Sequence, residues 1–256
     1  MFPYQLSSMA RKAINMEDRD QIDYVNTLWE AYSKDDLKQS CIVVCDMSLS
    51  MTDGLGPKTS CRMIDVSSSL AIYAAERLSG VLKIHFITFS RDPELVDLSN
   101  CNSFVEKILE IDKYCKPENT DIEKVYNLLY DVAEKTDGEG IPDYVLVLSD
   151  MEFDWGCDNE KSTLDVLKEK FANAGFKMPR MIWWNLNGCS AKFPTIKEDD
   201  NIYISGFSQH LFQHICNSED SMFNAEVFMM DTLRDLYDEF IQTLYSDNTL
   251  YFSSFM

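Results

Sequence analysis

The stretch Asp46-Met47-Ser48-Leu49-Ser50 carries one carboxylate and two hydroxyls at every second residue, directly after the apolar run Cys41-Ile42-Val43-Val44-Cys45. An extended chain leaving a strand turns such residues toward one side, with Met47 and Leu49 turned away. Two further oxygen groups sit in comparable settings. Asp150 follows a second apolar run, Tyr144-Val145-Leu146-Val147-Leu148-Ser149, and Thr120 lies in Asn119-Thr120-Asp121, where a helix is expected to open. Two carboxylates and three hydroxyls make an all-oxygen donor set, which suits a hard divalent cation and not zinc or copper. Magnesium, or manganese in its place, is the expected occupant: Mg2+ demands octahedral geometry at about 2.0–2.1 Å, keeps several waters and takes few direct carboxylates.

These residues can meet only if the right elements bring them together. Short apolar runs alternate with longer segments of helical period, the pattern of a parallel sheet covered by helices. Strands are expected near 41–46, 82–89, 94–98, 144–149, 180–185 and 202–205, and helices near 62–79, 102–111, 120–136 and 159–174. Gly80 follows the first of these helices, Thr120-Asp121 with Glu123 caps the third, and Ala174-Gly175 ends the fourth. The 94–98 run follows its predecessor too closely for a crossover, so it pairs antiparallel at a sheet edge, a place that tolerates Pro93.

The expected fold class is thus α/β: a Rossmann-like, open, mostly parallel six-stranded sheet of order 3-2-1-4-5-6, with one short antiparallel edge strand and helices on both faces. In that order the first and fourth strands are neighbours at the switch point, where loops diverge and ligands collect, so Asp46 and Asp150 face each other. Residues 1–39 read as an N-terminal helical extension, with Ile22, Val25, Leu28, Trp29 and Tyr32 forming an apolar stripe that docks on the domain. Residues 40–217 form the sheet domain. Residues 218–256 read as a C-terminal helix and tail packing on it, through Phe223, Val227, Met230, Leu233, Leu236, Tyr237, Phe240 and Leu244.

Composition narrows the function. The 256 residues are 45% hydrophobic and 26% charged, as in a globular protein with a substantial core. A net charge of −20, from 23 basic and 43 acidic residues, argues against direct binding of nucleic acid or of a membrane surface, both of which attract basic proteins. The first twenty residues lack a signal-peptide core and no run reaches the length of a membrane span, so an intracellular, cytoplasmic protein is expected. The eight cysteines include no Cys-x-x-Cys pair and read as reduced thiols, with Cys41 and Cys45 on one face of a buried strand.

Other motifs carry less. Gly54-Leu55-Gly56-Pro57-Lys58-Thr59-Ser60 resembles a phosphate-binding loop, but it lacks that motif's spacing, and Pro57 removes an amide from a cradle built of amides; a surface loop is expected. His210 and His214 are spaced for one face of a helix without a third zinc ligand, and His85 falls in a strand that reads as core. Glu152 and Asp154 follow Asp150, either as outer acceptors or as solvated charges, while Trp183 and Trp184 point to opposite faces of their strand.

Taken together, Asp46-x-Ser48-x-Ser50, Thr120 in "NTD" and Asp150 in "SDMEF" resemble the metal-ion-dependent adhesion site of von Willebrand factor A (vWA) domains. The segments "VVCDMSLSM", "FITFSRDPEL", "NTDIEKVY", "VLSDMEFD", "AGFKMPRMIWWNL" and "ISGFSQHL" extend the likeness over most of residues 40–216. They are similar to the C-terminal vWA region of a domain-of-unknown-function family from plants and giant DNA viruses, and to the vWA half of Ro-type ribonucleoproteins. The resemblance implies that Ser48 and Ser50 bind the metal directly, Thr120 directly or through water, and Asp46 and Asp150 mainly through bridging waters. A partner's acidic group fills the open position. Two departures stand out. Longer relatives carry a large N-terminal region whose activities are expected to be missing here, and many vWA domains have glycine where Met151 follows Asp150.

The expected function is a non-enzymatic interaction module that takes a protein partner's Asp or Glu on a divalent cation, as a subunit of a larger assembly; ribonucleoprotein or virion assemblies are suggested by resemblance alone. The competing classes are a metal-dependent hydrolase or phosphotransferase with Asp46 as nucleophile, and a structural domain with a vestigial site. Aspartyl phosphotransferases usually place a second acid two residues after the nucleophile, and here that residue is Ser48.

Overall fold

The computed structural model describes residues 2–32, 40–54, 61–78, 80–115, 121–151, 160–187, 195–198 and 201–206. Thr120, Glu152, Asp154, His210, His214, the 55–60 stretch and the expected C-terminal helix lie outside the described residues.

Two helices open the chain, α1 (Pro3–Asn15) and α2 (Arg19–Glu30). The sheet then alternates with helices: β1 (Cys41–Asp46), α3 (Met63–Ala75), β2 (His85–Phe89), β3 (Leu95–Asp97), α4 (Phe104–Asp112), α5 (Ile122–Lys135), β4 (Tyr144–Ser149), α6 (Glu160–Asn173), β5 (Arg180–Asn185), β6 (Thr195–Glu198) and β7 (Asn201–Ser205). The strand order is β3-β2-β1-β4-β5-β7-β6. The six expected strands therefore stand in the expected order, with β2, β1, β4, β5 and β7 parallel and β3 antiparallel on β2. The seventh, β6, adds antiparallel outside β7. It was not anticipated because four residues, Thr195-Ile196-Lys197-Glu198, are too few to display a period.

Alternation along the strands builds two cores. Cys41, Val43 and Cys45 of β1, with Leu146, Leu148 and Trp184, pack beneath α3 and α4. Ile42, Val44, Val145, Val147 and Trp183 pack beneath α5 and α6. Trp183 and Trp184 do divide between the faces, and both are buried. Cys45 lies in the first core with its Sγ 3.4 Å from the Ser67 carbonyl, where burial pushes its thiol pKa up, so it acts as a small apolar residue. His85 departs from expectation: it is half-buried, because β2 starts at it, at the margin of the sheet and not in its interior, and its Nδ1 lies 2.7 Å from the Lys83 carbonyl.

α3 is buried along all of its length because the sheet covers one side and the N-terminal helices cover the other. The α2 stripe docks as its spacing demands. Val25 and Trp29 are buried, Ile22, Leu28 and Tyr32 flank them, and Trp29 stacks on Phe104 of α4 at an interplanar angle of 14°. Asn26 Oδ1 accepts the Val105 amide at 3.0 Å, so α2 caps the first turn of α4.

The helix α1, which the N-terminal reading left undivided, contributes the strongest tie. Its buried Arg11 donates to Asp65 of α3 at 2.7 Å, to Ser68 Oγ at 2.8 Å and to Asp112 of α4 at 2.6 Å. Asp65 is fully buried and also accepts the Arg62 amide at 2.8 Å. Removing one partner of such a buried pair strands the other charge, which costs about 3–5 kcal/mol. Arg11→Ala is therefore expected to destabilise the chain by about 3–5 kcal/mol in urea unfolding; a loss below about 1 kcal/mol, the level of an exposed ion pair, would remove Arg11 as the anchor of α1.

Candidate metal centre

β1 ends at Asp46 because the next residues leave the sheet, and the parallel order sets that end between β2 and β4. Asp46 pairs with Phe89, and Cys45 pairs with Leu148, which brings Ser149 beside Asp46. The row continues through Asn185 and Ser205, so the carboxyl ends of the central strands carry Asp46, Ser149, Asn185 and Ser205 in sequence.

Asp46 is 2% exposed. Its Oδ1 accepts the Ser48 amide at 2.9 Å, a local two-residue turn, and its Oδ2 accepts the Ser149 hydroxyl at 2.5 Å. Burial raises its pKa and the charge of Asp150 raises it further, while the bonds from Ser149 and Ser48 pull the other way. Asp150, which follows Ser149 at the end of β4, is 3% exposed. The charge of Asp150, at the end of the neighbouring strand, thus bears on Asp46 across the β1–β4 boundary.

The hydroxyls arrive by a different backbone path from the expected one. The chain is extended through Ser48, at φ −62 and ψ 159, and then tightens into a 3-10 turn over Leu49–Thr52, closed by the Met51 amide on the Ser48 carbonyl at 3.1 Å. The Ser48 and Ser50 hydroxyls meet all the same, with their oxygens 3.0 Å apart. Met47 and Met51 anchor the turn in the core, whereas Leu49 is 58% exposed between the two serines. The Met63 amide, at the start of α3, donates to the Asp53 carbonyl at 3.2 Å and ties down the far end of the loop.

Thr120 lies outside the described residues, but its neighbour Asp121 does not. The Asp121 amide donates to the Ser90 carbonyl at 3.3 Å, one residue beyond the end of β2, and its side chain caps α5 by accepting the Lys124 amide at 3.3 Å. Lys124 Nζ reaches back to Asp92 at 2.6 Å and to the Arg91 carbonyl at 2.8 Å. The start of α5 is fastened to the loop after β2, and β2 is the other neighbour of β1.

Among the described residues, Asp46, Ser48, Ser50 and Asp150 thus gather at the carboxyl ends of β1 and β4, and no three His, Cys, Asp or Glu side chains converge in the manner of a metal cluster. The donor set is oxygen throughout, and the groups acting most on Asp46 are neutral donors and a second carboxylate. A hard divalent cation fits that chemistry. Sequence reasoning passed over Ser149 and Asn185. Asn185 holds the next loop by accepting the Asn187 amide at 2.9 Å; the available signal was a polar residue closing each apolar run.

The strand order, with helices over both faces, gives an α/β fold consistent with that of vWA domains. The chain matches the solved structure of the Deinococcus radiodurans RO (RSR) protein with a TM-score of 0.52 at 16% identity, over 75% of this chain and 36% of that one. More particularly, the chain belongs to the family described as Domain of unknown function (DUF7788), whose model matches residues 40–239. It is 27% identical over 229 residues to uncharacterized protein L728 of Acanthamoeba polyphaga mimivirus, and spans 38% of that protein's length. No helix among the described residues is long and apolar enough to cross a membrane.

Because the Asp46 pKa is raised above its unfolded value, the associated stability is fully present below the ordinary carboxylate pKa and is lost as pH rises through the folded pKa. At neutral pH without metal, the charge on Asp46 opposes folding. Asp46→Asn is expected to melt at or above the wild-type temperature in EDTA at pH 7; a large drop would show that the carboxylate stabilises the metal-free fold.

Proposed function

We propose that this domain is a non-enzymatic interaction module in which Asp46, Ser48, Ser50, Thr120 and Asp150 hold Mg2+ or Mn2+, and a carboxylate of a protein partner completes the coordination. The observation that carries the reading is the buried pair of acids on adjacent strands, with Asp46 held by neutral hydrogen bonds and two hydroxyls 3.0 Å apart beside it. Neutral ligands matter to the mechanism. Hydroxyls leave the cation's charge largely uncancelled, so it stays attractive to an incoming acid, whereas a ring of direct carboxylates would quench it.

The cation also answers an electrostatic difficulty. A chain of net charge −20 repels an acidic group, and a divalent ion at the crevice reverses the local field where contact is made. Phosphoryl transfer through Asp46 is the weaker reading: its Oδ1 is engaged by the Ser48 amide and its Oδ2 by Ser149, and a hydroxyl stands where a general acid is usually found. Membership of a larger assembly is part of the proposal.

Calorimetric titration with Mg2+ and Mn2+ is expected to show one site in the wild-type chain and none in Asp46→Ala or Ser48→Ala; failure of the wild type to bind below millimolar metal ends the metal reading. Capture of partners from lysate, with and without EDTA, tests the rest. The module reading requires that EDTA releases them, and partners retained equally in both conditions contradict it. Phosphatase turnover in the wild type that Asp46→Asn abolishes would move the assignment to the hydrolase class.

A further inference from the structure

The proposed ligand set leaves Ser149 without a role, although its hydroxyl lies at the centre of the arrangement. Ser149 closes β4 and is 0% exposed. Its Oγ–H donates to Asp46 Oδ2 at 2.5 Å, and the same oxygen accepts the Met151 amide at 3.0 Å. Its carbonyl accepts the Leu186 amide at 2.8 Å, which ties the end of β4 to the loop after β5.

A hydroxyl has one proton to give and lone pairs to accept with, so the direction of this relay is fixed: Met151 N–H to Ser149 Oγ–H to Asp46. Each end does something specific. At Asp46, the Ser48 amide bonds Oδ1 and the Ser149 hydroxyl bonds Oδ2, with the Ser48 hydroxyl also acting on the carboxylate, and bonds on both oxygens set the carboxylate plane. At Met151 the backbone has φ 60, the left-handed region, where a residue other than glycine is strained. The bond to Ser149 closes a short hydroxyl turn around Asp150 and offsets that strain, so Met151 takes the conformation for which glycine is the ordinary choice.

We propose that Ser149 is the positioning residue of the centre, its hydroxyl aligning the Asp46 carboxylate and, through the Met151 amide, locking the turn that presents Asp150. The proposal rests on the metal reading above. It assigns to one buried hydroxyl the registration of two acids that belong to different strands. Outer groups of this kind, when removed, weaken metal binding by about 10- to 100-fold.

Ser149→Thr and Ser149→Val test it, because they share a shape and differ in the hydroxyl. With the full chain and Mg2+ alone as the probe, calorimetry is expected to give wild-type affinity for Ser149→Thr and an affinity about 10- to 100-fold weaker for Ser149→Val. Equal affinity of the two variants overturns the positioning role while leaving the metal site standing. No Mg2+ uptake by the wild type overturns both, and that failure is read in the wild type, not in the variants. Amide hydrogen exchange in EDTA needs only wild-type protein and decides the case even where Ser149→Val does not fold. A Met151 amide that exchanges slowly supports the relay, and one that exchanges at the rate of an open turn overturns it.

Discussion

A carboxylate taken out of water at the end of a central strand is the constraint on which the rest of this structure turns. Asp46 has lost nearly all contact with solvent, and ionising it there is opposed both by burial and by the charge of Asp150. The neighbours that make this tolerable are fixed by topology. Because β1 lies between β2 and β4, the last hydroxyl of β4 falls within reach of Asp46, and the loop after β2 receives the start of α5. A different strand order would keep every residue and lose the site.

The chain handles a second buried acid in the opposite manner. Asp65 is fully buried, yet it has the Arg11 guanidinium at 2.7 Å, and that cation is shared with Asp112 so that α1, α3 and α4 are held as one layer. A charged pair of this geometry satisfies itself internally. Asp46 is held instead by the Ser48 amide and by the hydroxyls of Ser149 and Ser48, neutral donors that orient its oxygens without neutralising them. The contrast is between an acid paired with a cation and an acid held by neutral donors. It also explains why the N-terminal helices sit where they do: they secure the outer side of α3, whose first turn anchors the loop bearing Ser48 and Ser50.

Much of this was legible in the residues. The run Cys41-Ile42-Val43-Val44-Cys45 announces a buried strand, and the switch-point rule then sets Asp46 against the end of β4, where the structure has it. The 3-10 turn over Leu49–Thr52 was not legible, since a polar-apolar alternation at a strand end reads equally well as extended chain; burial of Met51 decides it. The margin position of His85 was hidden because Leu82-Lys83-Ile84 read as a continuation of β2, whereas Ile84 at φ 62 turns the chain just before the sheet begins. Ser149 was in plain view inside "VLSD", but its part depends on a hydrogen bond between strands 103 residues apart in sequence. No local pattern encodes that.

The division of labour between acids and hydroxyls has a further physical consequence. In the proposed centre, a buried Asp46 already aligned by hydrogen bonds would supply affinity for a cation at little further cost in ordering, because its rotamer is fixed in advance. The hydroxyls of Ser48 and Ser50 sit on a turn whose apolar residues, Met47 and Met51, are locked in the core, so they too are presented rigidly while remaining neutral. With a cation bound as proposed, rigid and neutral donors on one side and charge on the buried side would leave its remaining attraction pointing outward. That asymmetry distinguishes a cation held to be met by something else from one enclosed to brace the fold.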